Sequence, residues 1–253
     1  MPLAILGGTG LGELPGEWRP LTVATPAGEV PCFSGELGGR ETIFLPRHGP
    51  GHALPPHRVN YVGNALALQT LGCDRVLAVT AVGGIDPALG PGTLCLPVQF
   101  LDFTCTRPRT LFEPPDSPPV HVDLTEPYCP ELRQALQDAA QALGFPALPE
   151  VVYVCVEGPR FETPAEIRMF AQLGGQVVGM TGVPEVVFAR EAGLCYAGVS
   201  VVTNSAAGMT PEPLTLPEMK ELMATRRDVL LALLTATAER LCDPWACSCG
   251  AAR

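Results

Sequence analysis

Basic residues are in short supply in this chain: 16 Lys and Arg stand against 26 Asp and Glu, a formal net charge of −10. Holding nucleic acid or an anionic bilayer across a broad face needs a positive surface, so neither partner is expected, although one local anion site remains open. No run of 18 apolar residues occurs either, so no transmembrane helix is expected. Met1-Pro2-Leu3-Ala4-Ile5-Leu6 has no basic region before it enters a glycine turn, which argues against a secretory signal and for a cytoplasmic protein. Ten cysteines are present, but no Cys-x-x-Cys stands beside a His cluster, so neither zinc nor any other metal is expected. Cys73, Cys95, Cys155 and Cys195 lie in apolar runs, where cysteine is a small buried hydrophobe. Cys247-Ser248-Cys249 sits apart near the C-terminus, as a redox-active or stabilising pair or as part of a tail that frays.

What is present is ample core material, with 47% hydrophobic residues in 253. Short β-branched runs read as strands: Leu3-Ala4-Ile5-Leu6, Thr42-Ile43-Phe44-Leu45, Arg75-Val76-Leu77-Ala78-Val79, Val151 through Val156, Gln176-Val177-Val178-Gly179 and Tyr196 through Val202. Helical spacing is expected over 59–71, 131–143 and 184–192, and in a last helix that opens on a capping box, Thr215-Leu216-Pro217-Glu218. Residues 106–119 read as a long Pro-rich loop. Strand and helix mostly alternate, which predicts a single three-layer α/β domain over residues 1–242, followed by a tail over 243–253.

The stretch around which the rest is organised is Glu157-Gly158-Pro159-Arg160-Phe161-Glu162-Thr163-Pro164-Ala165-Glu166. Gly158-Pro159 breaks the preceding strand, and Thr163, Pro164 and Glu166 form a capping box for the next helix. An aromatic and a carboxylate, Phe161 and Glu162, are left at a strand-to-helix junction, where ligands bind in α/β sheets. Other strand ends carry anion donors. Gly7-Gly8-Thr9-Gly10 can converge backbone N–H groups and a hydroxyl on an anion, while its spacing fails the dinucleotide fingerprint. Pro46-Arg47-His48-Gly49 offers a planar fork of donors beside an imidazole. Thr80-Ala81, Thr181 and Thr203-Asn204 close three more strands, and together these ends suggest one phosphate pocket.

These motifs, with Asn60-Tyr61 and Gly179-Met180-Thr181-Gly182-Val183-Pro184-Glu185, resemble the trimeric purine nucleoside phosphorylase and methylthioadenosine phosphorylase family, in order and over nearly the whole chain. The resemblance implies a nucleoside-phosphorylase fold with a mixed central sheet, partly barrel-like, flanked by helices. It implies phosphorolysis in purine salvage: phosphate attacks the ribose C1′, the purine leaves, and ribose 1-phosphate forms, with no cofactor and phosphate as co-substrate. Thr9, Arg47, His48, Thr80, Ala81 and Thr181 would hold phosphate, with Arg47 and His48 also counted as catalytic. Met180 would lie against the ribose and Phe161 would stack on the purine. Asn204 would face N7 and the 6-substituent as a catalytic group, with Ser205 and Ala206 beside it, and Glu162 would face N1. His121 would reach a neighbouring subunit's site in a homotrimer or a dimer of trimers.

Base preference follows from chemistry at two of these positions. Methylthioadenosine phosphorylases tend to have Asp in place of Asn204 and Ser in place of Glu162. An ionised Glu162 accepts from N1–H of hypoxanthine or guanine and repels the bare N1 of adenine, and Asn204 can donate to O6 and accept from N7–H. That pair favours 6-oxopurines. At the sugar end Leu216, with Met219 one turn on, replaces the His that 6-oxopurine enzymes offer to the 5′-hydroxyl, and an apolar wall suits a 5′-methylthio group. Inosine, guanosine and methylthioinosine are therefore the expected substrates. A methylthioadenosine phosphorylase is the alternative, and a nucleoside hydrolase or a non-catalytic nucleotide-binding module the more distant ones.

Overall fold

The computed structural model describes residues 1–112, 120–211 and 215–243, together with Cys247 and Cys249. Nine strands form one sheet: β1 (Leu3–Gly7), β2 (Arg19–Thr25), β3 (Gly28–Leu37), β4 (Arg40–Pro46), β5 (Arg75–Gly84), β6 (Leu94–Phe103), β7 (Glu150–Val156), β8 (Val177–Gly179) and β9 (Cys195–Ser205). Among the described residues five α-helices flank it: α1 (Tyr61–Thr70), α2 (Pro130–Ala142), α3 (Pro164–Gln172), α4 (Gly182–Glu191) and α5 (Leu216–Arg240).

The strand order is β2-β3-β4-β1-β5-β8-β7-β6-β9, and β9 returns to pair in parallel with β5. The last five strands therefore close on themselves as a small barrel, with the other four as an open extension. Pairing is mixed: β1 lies parallel to β4 and β5, while β8 meets β5 antiparallel through two residues only, Gly83↔Val178 and Gly84↔Val177.

Every residue of β1 is buried, as expected of a parallel strand covered on both faces. Alternation along the central strands sorts the core into two layers. Leu3, Ile5, Leu77, Val79, Ala197 and Val199 point to the side of α2 and α5, where Leu132, Leu136, Met223 and Leu230 meet them. Ala4, Leu6, Val76, Ala78 and Tyr196 point to the opposite side, against Leu68 of α1 and Val186 of α4. A third cluster, with Val154, Val178, Ile167 and Phe170, seats α3.

The expected strands and helices are all present, with different bounds. The sheet also contains β2, β3 and β6, which the sequence did not announce. β2 and β3 alternate exposed and buried residues at an edge, and β6 is interrupted by Pro97 and loses register with β7 between Pro97 and Gln99. The capping box at Thr163 and Glu166 forms in both directions. At α5 only half of the expected box is made: Thr215 accepts from the Glu218 N–H at 3.4 Å. Of the expected loop 106–119, residues 113–119 lie outside the described part. The tail does not fray where it is described. Asp243 pairs with Arg40 at 2.8 Å and Arg75 at 2.6 Å, and Cys249 is buried.

Candidate active site

Near the ends of β5 and β9 their register slips between Val82 and Gly83, so that Gly83 pairs with Asn204 and Thr203 has no partner in β5. A cavity of about 380 Å³ opens there. Thr9, Arg47, His48, Thr80, Ala81 and Thr181 line it, and so do Phe161, Glu162, Met180, Asn204 and Leu216. Eleven side chains named from the sequence, drawn from the whole length of the chain, thus converge on one hollow.

The anion end is built by close backbone approach. β1 runs into the glycine turn, and a Cβ on Gly8 would sit 2.6 Å from Arg47 Nη1 and 2.7 Å from the Val79 carbonyl oxygen. Only glycine lets the turn lie this near the guanidinium. Thr80 shares a hydrogen bond with Ser200 at 2.7 Å, and the Thr181 hydroxyl makes no cap bond at the start of α4.

Arg47 is less available than its position in the sequence suggests. It is 1% exposed, and its Nε and Nη2 donate to the two oxygens of Glu185 at 2.6 and 2.8 Å, while Nη1 donates to the Val79 carbonyl at 2.9 Å. Three of five N–H bonds are thereby engaged, leaving two for a ligand. Tyr196 also donates to Glu185, at 2.7 Å. Burial works against the charge on Arg47, but the Glu185 carboxylate outweighs it and holds the guanidinium above its usual range.

His48 changes character more. Its Nδ1 lies 2.7 Å from the Leu54 carbonyl, which can only accept, so Nδ1 carries the proton and the free nitrogen is Nε2. Burial, reinforced by Arg47, lowers its pKa to about 4. His48 is therefore neutral and an acceptor at Nε2, not the second cation that an Arg-His pair suggests. His52 stacks on it with ring centroids 4.1 Å apart and is lowered by burial as well.

The base end lies between β7 and α3. Gly158 adopts φ 65°, and a Cβ there would meet Met180 Sδ at 2.6 Å, which brings the Phe161 loop against Met180. Glu162 is 9% exposed, and burial raises its carboxyl above the usual range. The Asn204 amide is oriented from both sides: Thr203 donates to its Oδ1 at 2.8 Å and its Nδ2 donates to the Ser205 carbonyl at 2.8 Å. One N–H and one lone pair remain for a ligand.

Four residues read from the sequence do not line this hollow. Ser205 and Ala206 do not line it; Ala206, just past the end of β9, is buried among Ile85, Val154 and Phe170, with its N–H held by the Gly84 carbonyl at 2.7 Å. The Thr203 hydroxyl proton is shared between Asn204 Oδ1 at 2.8 Å and, at 3.2 Å, the Val82 carbonyl. His121 is exposed and outside the cavity of its own chain. Leu216, by contrast, does line it: it is 51% exposed, at the mouth, with Met219 beside it.

Sequence reading also missed three residues. Glu185 stands in the Val183-Pro184-Glu185 string, but nothing in the sequence links it to Arg47, 138 residues away. His52 follows a Gly-Pro-Gly turn with no distinctive neighbour. Arg107 lies in the expected loop, yet it is buried, and its guanidinium donates to the carbonyls of Val156, Glu157, Met180 and Val183 and to the Tyr61 hydroxyl.

A partly closed mixed sheet, with an anion cradle and an aromatic-carboxylate-amide set at opposite sides of one hollow, defines a class, and residues 2–239 match the model of the Phosphorylase superfamily. The chain belongs to that superfamily. It is 47% identical over 253 residues to the 6-oxopurine nucleoside phosphorylase of Pyrococcus furiosus, covering 98% of this chain and 96% of that protein. It is also 47% identical to the probable S-methyl-5′-thioinosine phosphorylase of Methanopyrus kandleri, covering 99% and 96%. Among solved structures, methylthioadenosine phosphorylase from Schistosoma mansoni in complex with adenine superposes with a TM-score of 0.88 at 32% identity, over 94% of this chain and 90% of that one. No helix among the described residues is long and apolar enough to cross a membrane.

Proposed function

We propose that this protein is a purine nucleoside phosphorylase that prefers 6-oxopurines. The observation that carries the proposal is the placing of Glu162 and the pinned Asn204 amide on the cavity that also holds Arg47, Thr80 and Thr181. Phosphate sits against the glycine turn, the three Thr hydroxyls and the two remaining N–H bonds of Arg47. Because Glu185 already balances Arg47, the phosphate keeps its negative charge for the sugar. His48 Nε2 accepts from a protonated phosphate oxygen.

One phosphate oxygen then attacks C1′ as the C1′–N9 bond breaks, and that bond's electron pair leaves with the purine. The transition state is positive at the sugar and negative at the base. It is stabilised by the phosphate beneath the ring and by hydrogen bonds to the departing base. Asn204 donates to O6 and accepts from N7–H, and ionised Glu162 accepts from N1–H. Phe161 stacks on the purine and Met180 lies against the ribose. No protein nucleophile and no cofactor is required.

At the 5′ end, Leu216 and Met219 present an apolar rim that suits a methylthio substituent, so methylthioinosine stands beside inosine and guanosine as a substrate. The resemblance further points to a cytoplasmic homotrimer or dimer of trimers in which His121 serves a neighbouring site. Phosphate-dependent release of base from inosine, guanosine, adenosine, methylthioinosine and methylthioadenosine, compared by kcat/KM, tests the reading. The inosine-type substrates should win. If methylthioadenosine wins, the assignment of Glu162 and Asn204 falls, and release that needs no phosphate would replace the phosphorylase by a hydrolase.

A further inference from the structure

Four cysteines gather outside the cavity, contributed by three separate parts of the chain. Cys129 is the N-cap residue of α2, and its side chain makes no capping bond. Cys195 opens β9, and Cys247 and Cys249 come from the segment after α5. Their sulfur atoms all lie within 4.8 Å of one another. Cys247 Sγ is 3.4 Å from both Cys129 Sγ and Cys195 Sγ. All ten cysteines are free thiols.

This arrangement matches a metal cage. Four thiolates around zinc at about 2.3 Å form a tetrahedron with sulfur–sulfur edges of about 3.8 Å. The observed separations bracket that edge. Cys129, Cys195 and Cys249 are buried and Cys247 half-buried, so the site is closed and leaves no position for a water or a substrate. Closed, four-sulfur coordination is the structural kind, and soft thiolates select zinc over magnesium or calcium.

The surroundings support a charged cluster. The Cys249 backbone N–H donates to Cys247 Sγ at 3.2 Å, a bond that favours thiolate. Arg190 Nη1 donates to the Cys249 carbonyl at 3.1 Å and brings a positive charge beside what would be a doubly negative complex. Cys129 Sγ, 3.5 Å from Glu131 Oε2, would exchange that contact for the metal.

We propose that Cys129, Cys195, Cys247 and Cys249 form a closed tetrathiolate site for one zinc ion. Binding replaces the four thiol protons, which leave to solvent, and no electron is transferred. The ion staples the C-terminal segment to the starts of α2 and β9. Those attachments matter to the cavity, because β9 continues to Asn204 and α5 begins at Leu216. The zinc site stands independently of the substrate assigned to the cavity.

The test uses the full chain, purified in reducing buffer without a metal-affinity step. Elemental analysis should find one zinc per chain, and exchange for Co²⁺ should produce the visible bands of tetrahedral cobalt–thiolate. The double substitution Cys247→Ser, Cys249→Ser should lose the metal and melt at lower temperature while retaining phosphorolysis within about twofold at low temperature, since neither residue lines the cavity. If that variant does not fold, zinc content and the cobalt spectrum of the unaltered protein decide alone. A metal-free chain whose unreduced mass is lower by four hydrogens, showing two disulfides, overturns the proposal. So does a chain in which all four thiols still react freely after Zn²⁺ is added.

Discussion

At the residue scale, the proposed selectivity rests on Glu162 and on Asn204, whose hydrogen-bonding capacity is half used before a ligand arrives. Asn204 has one N–H and one lone pair left, so Asn204→Asp removes the donor to O6 and supplies an acceptor for a 6-amino group. The ratio of kcat/KM for inosine over adenosine should fall by at least about tenfold, the scale set by leaving one buried polar group unpaired. An unchanged ratio would remove Asn204 from base recognition. Glu162 makes the same ratio depend on pH. Burial raises its carboxyl, so it protonates earlier on acidification than an exposed glutamate. Once protonated it loses its acceptor for N1–H and gains a donor for adenine N1. The inosine-to-adenosine ratio should therefore drop as pH falls towards the carboxylate range, and Glu162→Gln should flatten that dependence. His48, lowered to about 4, should add no histidine step to kcat/KM between about pH 5 and 8.

Glu185 belongs to the same scale. Glu185→Ala leaves the buried Arg47 charge uncompensated, which costs about 3–5 kcal/mol of stability and shows directly in urea unfolding. Arg47→Ala would orphan Glu185 in turn, so loss of phosphate binding in that variant must be read beside its stability. An Arg47→Ala protein with native stability and native phosphate KM would contradict both roles.

At the element scale, Arg107 joins pieces that sequence order keeps apart. Its guanidinium holds the end of β7, the Met180 turn before α4 and the start of α1 through five acceptors. Arg107→Met would leave four backbone carbonyls without their donor, at about 1–3 kcal/mol for each that stays buried. KM for nucleoside should rise more than kcat falls, because Gly158 and Met180 position the Phe161 loop. A variant that only melts earlier, with KM unaltered, would reduce Arg107 to a stabilising role. The sequence showed the helices well because caps and 3.6-residue spacing are local signals. It showed β1, β5, β7 and β9 because buried parallel strands are continuous apolar runs. It did not show β2, β3 and β6. An edge strand, its largely uncovered neighbour and a strand containing Pro97 carry weak patterns whose pairing partners supply the rest.

At the scale of the whole molecule, the rim of Leu216 and Met219 is the proposed sugar end of the cavity. Leu216→His should raise kcat/KM for inosine relative to methylthioinosine, since a donor would then face the 5′-hydroxyl. A ratio that does not move would show that the 5′ group lies elsewhere. Sedimentation of the intact protein tests the proposed trimer or dimer of trimers, and a monomer would overturn it.

By itself, the sequence determined which residues could form the cavity, because phosphate, ribose and base each need a recognisable chemistry at a strand end: glycine turn, Arg, Thr hydroxyl, aromatic, carboxylate, amide. It also determined the α/β alternation that brings such ends together. Only the tertiary structure decided how those groups are used. It packed Ala206 into the cluster around Phe170 and not onto the cavity, made His48 neutral by burial beside Arg47, and matched Arg47 to a carboxylate 138 residues away. It also gathered four cysteines whose spacing in the chain resembles no metal motif. Those outcomes depend on distances and desolvation between remote segments, which no local pattern encodes.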